Sequence, residues 1–148
     1  MEIRFNKKSE KYGCFSNFYP CMVEFNGIKY KNSEAAWQSQ KTIIKKERLI
    51  FTDMDGFQAR KTGRNITLRK DWEDVKFNLM IEILKSKFVK NPKLGKILKS
   101  TGNNIIIEDT TGRHDNLWGD CLCPKCINIP GENLLGKALM EVRKDLFN

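Results

Sequence analysis

The spacing of apolar and polar positions predicts short strands and longer amphipathic helices along the chain. Residues 22–25 and 28–31 alternate apolar and polar side chains on either side of Asn26-Gly27. Asn-Gly tolerates the positive φ angles of a two-residue type I′ turn, so this stretch predicts a β-hairpin. Two further strands are predicted from short apolar runs, at Glu2–Phe5 and at Ile105–Ile107, the latter buried.

Helical spacing follows the hairpin and dominates the second half of the chain. The first helix is predicted to begin at Asn32 or Ser33 and to run to Lys45, with Glu34 in its first turn. A central core helix is predicted from an N-cap at Asp71 to Phe88. Other helices are predicted at 57–62, from Pro92 to Gly102, and at 134–143 after Asn133. The fold class is therefore α+β, a single compact, mostly helical domain over residues 1–148 with a small hairpin and sheet.

The first helix places chemically different side chains on one stripe. Glu34, Gln38 and Lys41 fall within about 60° of one another on a helical wheel, with Trp37 beside them. A solvated face with a weak Glu–Lys contact explains the acid and the amine. The floor of a polar pocket explains the large ring and the amide as well, and both interpretations stay open at this point.

Composition and charge narrow the class of protein. The chain has 148 residues, 40% hydrophobic and 30% charged, which is typical of one globular domain. No apolar run is long enough to cross a bilayer and the N-terminus does not resemble a signal peptide, so a soluble, cytoplasmic protein with no membrane partner is expected. A net charge of +9 indicates a phosphate-bearing partner, either nucleic acid or a phosphorylated small molecule.

Lysines are concentrated in one stretch, with six of them and no acid from Lys85 to Lys99. Lys93, Lys96 and Lys99 share one flank of the predicted helix because they are three residues apart. This flank suits contact with nucleic acid, and a solubility face is the alternative.

The segment from Cys14 to Pro20 carries three aromatic residues within five positions, interleaved with Ser16 and Asn17. In a loop, Phe15 and Phe18 could stack on both faces of a base while the Asn17 amide forms hydrogen bonds. The alternative is a loop held in the core by the two phenylalanine rings.

Three of the five cysteines lie in the hexapeptide Cys121-Leu122-Cys123-Pro124-Lys125-Cys126. A disulfide framework is not expected in an intracellular chain, whereas Cys-x-Cys-x-x-Cys can place three thiolates around one tetrahedral ion. A structural zinc ion is the favoured interpretation, with His114, Cys14 or Cys21 as the fourth ligand; three reduced thiols in a turn are the alternative. No organic cofactor is expected.

Five motifs in order resemble the NADAR family, also called the YbiA-like family, from about Arg4 to Arg143. They are Phe15–Pro20, Ser33–Lys41, Arg69–Trp72, Asp115–Asp120 and Gly131–Arg143. The resemblance implies an N-glycosidase that hydrolyses a bond between ribose C1 and a nitrogen. It implies two substrate classes: ADP-ribose on the amino group of guanine in nucleic acid, in some members as the antitoxin to an ADP-ribosylating toxin, and the phosphoribosylamino pyrimidine intermediates of riboflavin synthesis. The cysteine-rich turn departs from the plain glycine-containing turn of many relatives.

The candidate catalytic residues are Glu34, Lys41 and Asp115, and two routes stay open. In the first, a carboxylate near C1 stabilises the cation that develops there or activates water, and an acid helps the base to leave. In the second, a neutral lysine amine attacks C1 of an opened ribose and forms a Schiff base that water hydrolyses, with Glu34 able to shuttle the proton. Only about one lysine in a few thousand is neutral at pH 7 with an ordinary pKa. Desolvation beside Trp37 would lower the pKa of Lys41 and the Glu34 carboxylate would raise it, so the two effects oppose each other.

Resemblance implies that the loop around Trp118 closes over the ligand, with the ring stacking and Asp115 or Asp120 binding ribose hydroxyls or polarising water. Arg4, Arg64 and Arg143 are candidates for phosphate contacts, with structural salt bridges as the alternative. The predicted substrate-binding residues are Arg4, Phe15, Ser16, Asn17, Phe18, Trp37, Gln38, Arg64, Trp72, Trp118, Gly119, Asp120, Asn133 and Arg143. A non-catalytic module that binds ADP-ribose or nucleic acid remains the alternative from another functional class.

Overall fold

The computed structural model describes all 148 residues and has an α+β fold, as predicted. The four strands are β1 (Glu2–Phe5), β2 (Val23–Phe25), β3 (Ile28–Tyr30) and β4 (Ile105–Glu108). The six α-helices are α1 (Ser33–Ser39), α2 (Lys45–Leu49), α3 (Gly56–Thr62), α4 (Trp72–Lys90), α5 (Pro92–Ser100) and α6 (Leu134–Phe147). No helix combines the length and hydropathy needed to span a bilayer.

The chain divides into two compact units, one formed by Met1–Ser16 with Lys96–Asn148 and the other by Asn17–Gly95. We call them the terminal unit and the central unit. The prediction of a single domain stays a prediction.

The terminal unit is built on a two-stranded parallel sheet, in which β1 pairs with β4 from Glu2↔Ile105 to Phe5↔Glu108. The predicted β4 is confirmed, although Ile105 at its start is 48% exposed rather than buried, because a two-stranded sheet leaves strand ends uncovered. Helix α6 packs against β4 and buries apolar side chains at helical spacing, namely Leu135, Ala138, Leu139 and Val142.

The central unit confirms the predicted hairpin and core helix. Asn26 and Gly27 have φ angles of 50° and 78°, as a type I′ turn requires. Helix α4 runs two residues beyond its predicted end and buries Trp72, Met80, Ile83, Leu84 and Phe88. Asp71 occupies the N-cap position but makes no capping hydrogen bond, because its carboxylate accepts two hydrogen bonds from the Arg69 guanidinium instead.

Helix α1 is much shorter than the predicted helix to Lys45, and Lys41 lies beyond its end. The reason is competition for the carbonyls that a longer helix would use. The backbone N–H of Arg69 donates to the carbonyl of Lys41 at 2.7 Å, and the Arg48 guanidinium donates to the carbonyl of Thr42 at 2.8 Å. Both arginines are distant in sequence from the helix start, so local periodicity carries no sign of this early stop.

Candidate functional site

The N-terminus of α1 is fixed by buried polar contacts. Asn32 caps the helix by accepting a hydrogen bond from the backbone N–H of Ala35 at 2.7 Å. The Ser33 hydroxyl donates to the Asn17 side chain at 2.8 Å, and the Glu34 N–H donates to the Asn17 carbonyl at 3.0 Å. Asn17 was predicted to bind substrate. In this structure it positions Glu34, the candidate catalytic acid.

Glu34 is buried inside the central unit, which excludes the interpretation of α1 as a solvated face. Only 6% of Glu34 and 4% of Gln38 is exposed. The Gln38 side-chain N–H donates to Glu34 Oε1 at 2.9 Å, and Arg60 Nε lies 3.8 Å from the same oxygen. A buried carboxylate is costly unless it is paired and hydrogen-bonded, and Gln38 and Arg60 supply those partners.

Lys41 lies beside the aromatic pair of Trp37 and Trp72. Its Nζ is 5.5 Å from the Trp37 ring centroid and 5.9 Å from that of Trp72, and the two rings are 5.0 Å apart. Burial lowers the pKa of Lys41 below its ordinary value; the Glu34 carboxylate opposes this effect and the Arg64 guanidinium adds to it. Desolvation therefore outweighs the carboxylate, which enlarges the neutral, nucleophilic fraction of Lys41 at a given pH.

Phe18 joins this cluster through Arg60. The guanidinium carbon of Arg60 is 4.5 Å from the Phe18 ring centroid, and Phe57 packs edge-on against Phe18 with centroids 4.8 Å apart. Arg60 thus connects the buried carboxylate of Glu34 with a half-buried aromatic ring. Its own side chain is partly exposed, so the guanidinium can contact an anionic ligand.

Gln38 has an oxygen that accepts no hydrogen bond although it is buried. It lies against Gly63, where a Cβ would collide with both Oε1 and Cδ of Gln38. Glycine at this position therefore creates the space for the carboxamide. Because Oε1 is buried against Gly63, the structure shows Gln38 acting on Glu34 through its side-chain N–H, and the predicted contact of Gln38 with substrate stays a prediction.

Arg60 was not among the predicted site residues, although a signal for it exists. Gly56, Arg60 and Gly63 follow at i, i+4 and i+7, which places Gly56 and Arg60 on one face of α3 and Gly63 in line with them at the C-cap. The two glycines approach the Phe18 ring and the Gln38 carboxamide closely. A basic residue between two small residues at helical spacing therefore marked a face that packs tightly against polar and aromatic groups.

In the terminal unit, Asp115 organises the start of the Trp118 loop. Its Oδ1 accepts hydrogen bonds from the N–H groups of Leu117 and Trp118 at 3.0 and 2.9 Å. Its backbone carbonyl accepts the Thr110 hydroxyl at 2.6 Å. The carboxylate thus holds the loop in shape and keeps one oxygen for another partner, while its catalytic role stays a prediction.

Asp120 and Arg4 form an ion pair rather than two separate ligand-binding groups. Arg4 donates to Asp120 Oδ2 at 3.0 Å and also lies 3.5 Å from Asp109. Asp120 Oδ1 accepts the Gly131 N–H at 3.2 Å. The structural salt bridge, which the sequence left open for Arg4, is the arrangement observed.

Two other predicted ligand contacts in this unit are also engaged with protein groups. Asn133 donates to the Ile106 carbonyl at 2.8 Å and accepts the Glu108 N–H at 3.0 Å, so it clamps β4 and does not cap α6 with its side chain. Arg143 donates to Thr101 Oγ1 and to the Asn104 carbonyl at 2.8 and 2.9 Å.

Arg64, by contrast, is exposed in the central unit and near enough to lower the pKa of Lys41.

The complete burial of Phe15 corrects the prediction that Phe15 and Phe18 stack on both faces of a base. It has no exposed surface and packs against Phe5 and Tyr12 with centroid distances of 5.6 and 5.5 Å. A ring enclosed in this way cannot stack on a ligand, so the core interpretation holds for Phe15. Ser16 is buried beside it, and Gly119 is buried close to Thr110 and Glu108.

Comparison with known proteins agrees with the motifs. The sequence profile of the NADAR domain matches residues 4–147. The chain is 34% identical to the N-glycosidase Npun_R5314 of Nostoc punctiforme, covering 100% of this chain and 94% of that protein. It is 31% identical over 97% of its length to the riboflavin biosynthesis protein VVA0006 of Vibrio vulnificus, of which it covers 38%. The NMR structure of Escherichia coli YbiA has a TM-score of 0.82 at 33% identity, covering 98% of this chain and 84% of that one.

Proposed function

This chain belongs to the NADAR family, and we propose that it is an N-glycosidase that removes ADP-ribose from the amino group of guanine in nucleic acid. The observation that carries the proposal is the pairing of a desolvated lysine with a buried carboxylate in the central unit. A module that only binds its ligand has no need of a lysine whose pKa is lowered beside an acid. The non-catalytic alternative is therefore disfavoured.

The proposed reaction uses Lys41 as nucleophile and the Glu34 carboxylate as proton carrier. Opening of the ribose ring breaks the C1–O4′ bond, moves the proton of the guanine amino nitrogen to O4′ and leaves a C1=N imine. The neutral Nζ of Lys41 adds to C1, Glu34 carries the two Nζ protons in turn to the guanine nitrogen, and the bond between C1 and that nitrogen breaks to leave a C1=Nζ Schiff base. Water then adds to C1 and the C1–Nζ bond breaks as the two water protons return to Nζ through Glu34, which releases ADP-ribose with an aldehyde at C1, neutral Lys41 and the Glu34 carboxylate.

Arg60 and Phe18 suit the remaining parts of this substrate. The partly exposed Arg60 guanidinium can bind a phosphate oxygen, and the Phe18 ring beneath it can contact a flat base or ribose face. Gln38 contributes to this proposal by holding the Glu34 carboxylate through its side-chain N–H. The predicted contribution of Trp118 by stacking is part of the same proposal.

Charge favours the nucleic-acid-linked substrate over a free small molecule. Within the lysine-rich stretch, Lys87 is fully buried, and Lys85 and Lys90 are paired with Glu82 and Glu24. The remaining lysines are exposed at three-residue spacing along α5, namely Lys93, Lys96 and Lys99. These three, rather than all six, are the proposed phosphate contacts.

A second substrate has a specific observation in its favour. The Vibrio vulnificus relative is named a riboflavin biosynthesis protein, and this chain matches a part of it. Hydrolysis of a phosphoribosylamino pyrimidine breaks the same type of C1–N bond.

If the guanine-linked substrate is correct, the protein acts in the cytoplasm, where an ADP-ribosylating toxin is the proposed source of that substrate.

We expect the protein to release ADP-ribose from an ADP-ribosylated guanine oligonucleotide faster than it cleaves the riboflavin intermediate, as measured by mass spectrometry. Log kcat/KM on the oligonucleotide should fall linearly with log salt, with a slope of about −0.7 to −0.9 per phosphate contact, because displaced counterions drive binding. Replacing Lys93, Lys96 and Lys99 with glutamine should flatten that slope.

The matched control replaces three exposed lysines elsewhere with glutamine, at Lys8, Lys137 and Lys144. This control should leave the slope closer to that of the wild-type protein. Faster turnover of the riboflavin intermediate, with a salt-independent rate on the oligonucleotide, would contradict the guanine-linked substrate and favour the riboflavin intermediate. Binding of both without release of product would favour the non-catalytic module.

A further inference from the structure

Four side chains that can bind a metal converge in the terminal unit. The ligand atoms of His114, Cys121, Cys123 and Cys126 all lie within 4.8 Å of one another. His114 Nδ1 is 3.3 Å from the Cys123 sulfur, 3.4 Å from that of Cys126 and 4.0 Å from that of Cys121. All five cysteines are free thiols, and neither Cys14 nor Cys21 belongs to this group.

The distances match the dimensions of a tetrahedral zinc site. Zn–S bonds of about 2.3 Å and Zn–N bonds of about 2.05 Å place a nitrogen and a sulfur ligand about 3.6 Å apart. The three observed N···S distances scatter around that value. We propose that these four residues bind one Zn²⁺ through three thiolates and His114 Nδ1, and that the ion holds the Asp115–Asp120 segment in place.

Local structure prepares the ligands for this geometry. The backbone N–H of Cys126 donates to the Cys123 carbonyl at 2.9 Å, closing the Cys123-Pro124-Lys125-Cys126 turn that turns both sulfurs towards one point. His114 has a φ of 57°, a left-handed conformation uncommon for residues with a side chain. In this conformation His114 Nδ1 lies 3.3–4.0 Å from the three cysteine sulfurs.

The position of the ligands in the sequence indicates what the ion does. His114 immediately precedes Asp115 and Cys121 immediately follows Asp120, so the metal would close a loop around the predicted substrate-binding segment. Residues 109–133 contain no helix and no strand, and an ordered loop longer than about 12–15 residues is uncommon in a compact domain, so an ion that ties its ends together would be a stabilising constraint. Four protein ligands leave no open coordination position, so the ion is structural and positions this segment rather than the reacting water.

Metal content tests the site itself. Protein purified from zinc-supplemented culture should contain one Zn²⁺ per chain, and a strong chelator should lower its melting temperature. Cys126→Ser should lose the ion, whereas Cys21→Ser, which removes a thiol outside the cluster, should keep it. Substitution with Co²⁺ should give the visible absorption of a tetrahedral thiolate site. Metal-free wild-type protein whose melting temperature does not respond to added Zn²⁺ would overturn the proposal.

Trypsin tests the positioning role without an activity assay. Arg113 and Lys125 are the two trypsin sites within residues 109–133, and both are exposed. Removal of zinc should speed cleavage there by at least about tenfold, because the loop then opens more often. Equal cleavage of the zinc-loaded and zinc-free protein would show that the ion does not order the segment.

The effect on catalysis is the part of this inference that rests on the proposed function. Cys126→Ser should raise KM for the ADP-ribosylated oligonucleotide more than it lowers kcat, since the proposed reaction assigns bond breaking to Lys41 and Glu34 and ligand contacts to this segment. If the zinc-loaded protein has no glycosidase activity, the proposed function fails while zinc content, cobalt spectrum and trypsin protection still decide the metal site.

Discussion

Lys41→Ala should lower kcat for ADP-ribose release by at least about a hundredfold, the scale expected when a positioned catalytic group is removed. The reason is that alanine removes the amine that lies over the Trp37 and Trp72 rings. Lys41→Arg should not restore activity, because a guanidinium stays charged and cannot attack. Rates measured by mass spectrometry at saturating substrate test both variants.

The pH dependence follows from the lowered pKa of Lys41. Only the neutral amine attacks, so kcat should rise with pH and level off once pH exceeds the Lys41 pKa, which lies below the ordinary lysine value. Lys45→Ala is the matched control, since Lys45 is exposed on α2. Its rate and pH profile should equal those of the wild type. Near-full activity of Lys41→Ala would leave catalysis to the carboxylates.

Glu34→Gln should lower kcat by about a hundredfold to ten-thousandfold and change KM little, because the amide keeps the shape but cannot deliver a proton. The hydrogen bond from Gln38 can persist, since the new side chain also offers an acceptor oxygen. Thermal unfolding should show that the fold is retained, and Glu82→Gln on the exposed side of α4 serves as the control.

The same variant has a second signature in its pH profile. The Glu34 carboxylate raises the pKa of Lys41, so its removal should lower that pKa further. The residual rate should therefore level off at a lower pH than in the wild type. A profile that shifts upward, or a wild-type kcat, would contradict the placement of Glu34 beside the reacting amine.

The hairpin and the core helix could be predicted from the sequence because their determinants are local. Asn26-Gly27 supplies two residues that accept positive φ angles, and the α4 apolar face repeats at helical spacing. The end of α1 could not be predicted, since Arg48 and Arg69 take carbonyl groups that a longer helix would have used. Contacts between distant residues of this kind leave no periodic signal.

The candidate site was also only partly predictable from the sequence. Its residue types were evident in the Ser33–Lys41 motif, but the burial of Glu34 depends on the close approach of α3, which Gly56 and Gly63 allow. The direction in which the Lys41 pKa shifts could not be predicted from the sequence, because burial lowers this pKa and the Glu34 carboxylate raises it. His114 emerged as the fourth cluster member from loop geometry, since Cys14 and Cys21 were equally acceptable as residue types.

Borohydride trapping followed by peptide mapping tests the central claim, which is that Lys41 forms a covalent intermediate with the sugar during C1–N hydrolysis. Reduction during turnover of the ADP-ribosylated oligonucleotide should leave one sugar adduct on the peptide that contains Lys41 and none in Lys41→Arg. Free ADP-ribose with borohydride is the control for unspecific reaction with exposed lysines such as Lys45. Full turnover with no adduct on Lys41, or with an adduct on a different lysine, would contradict the account.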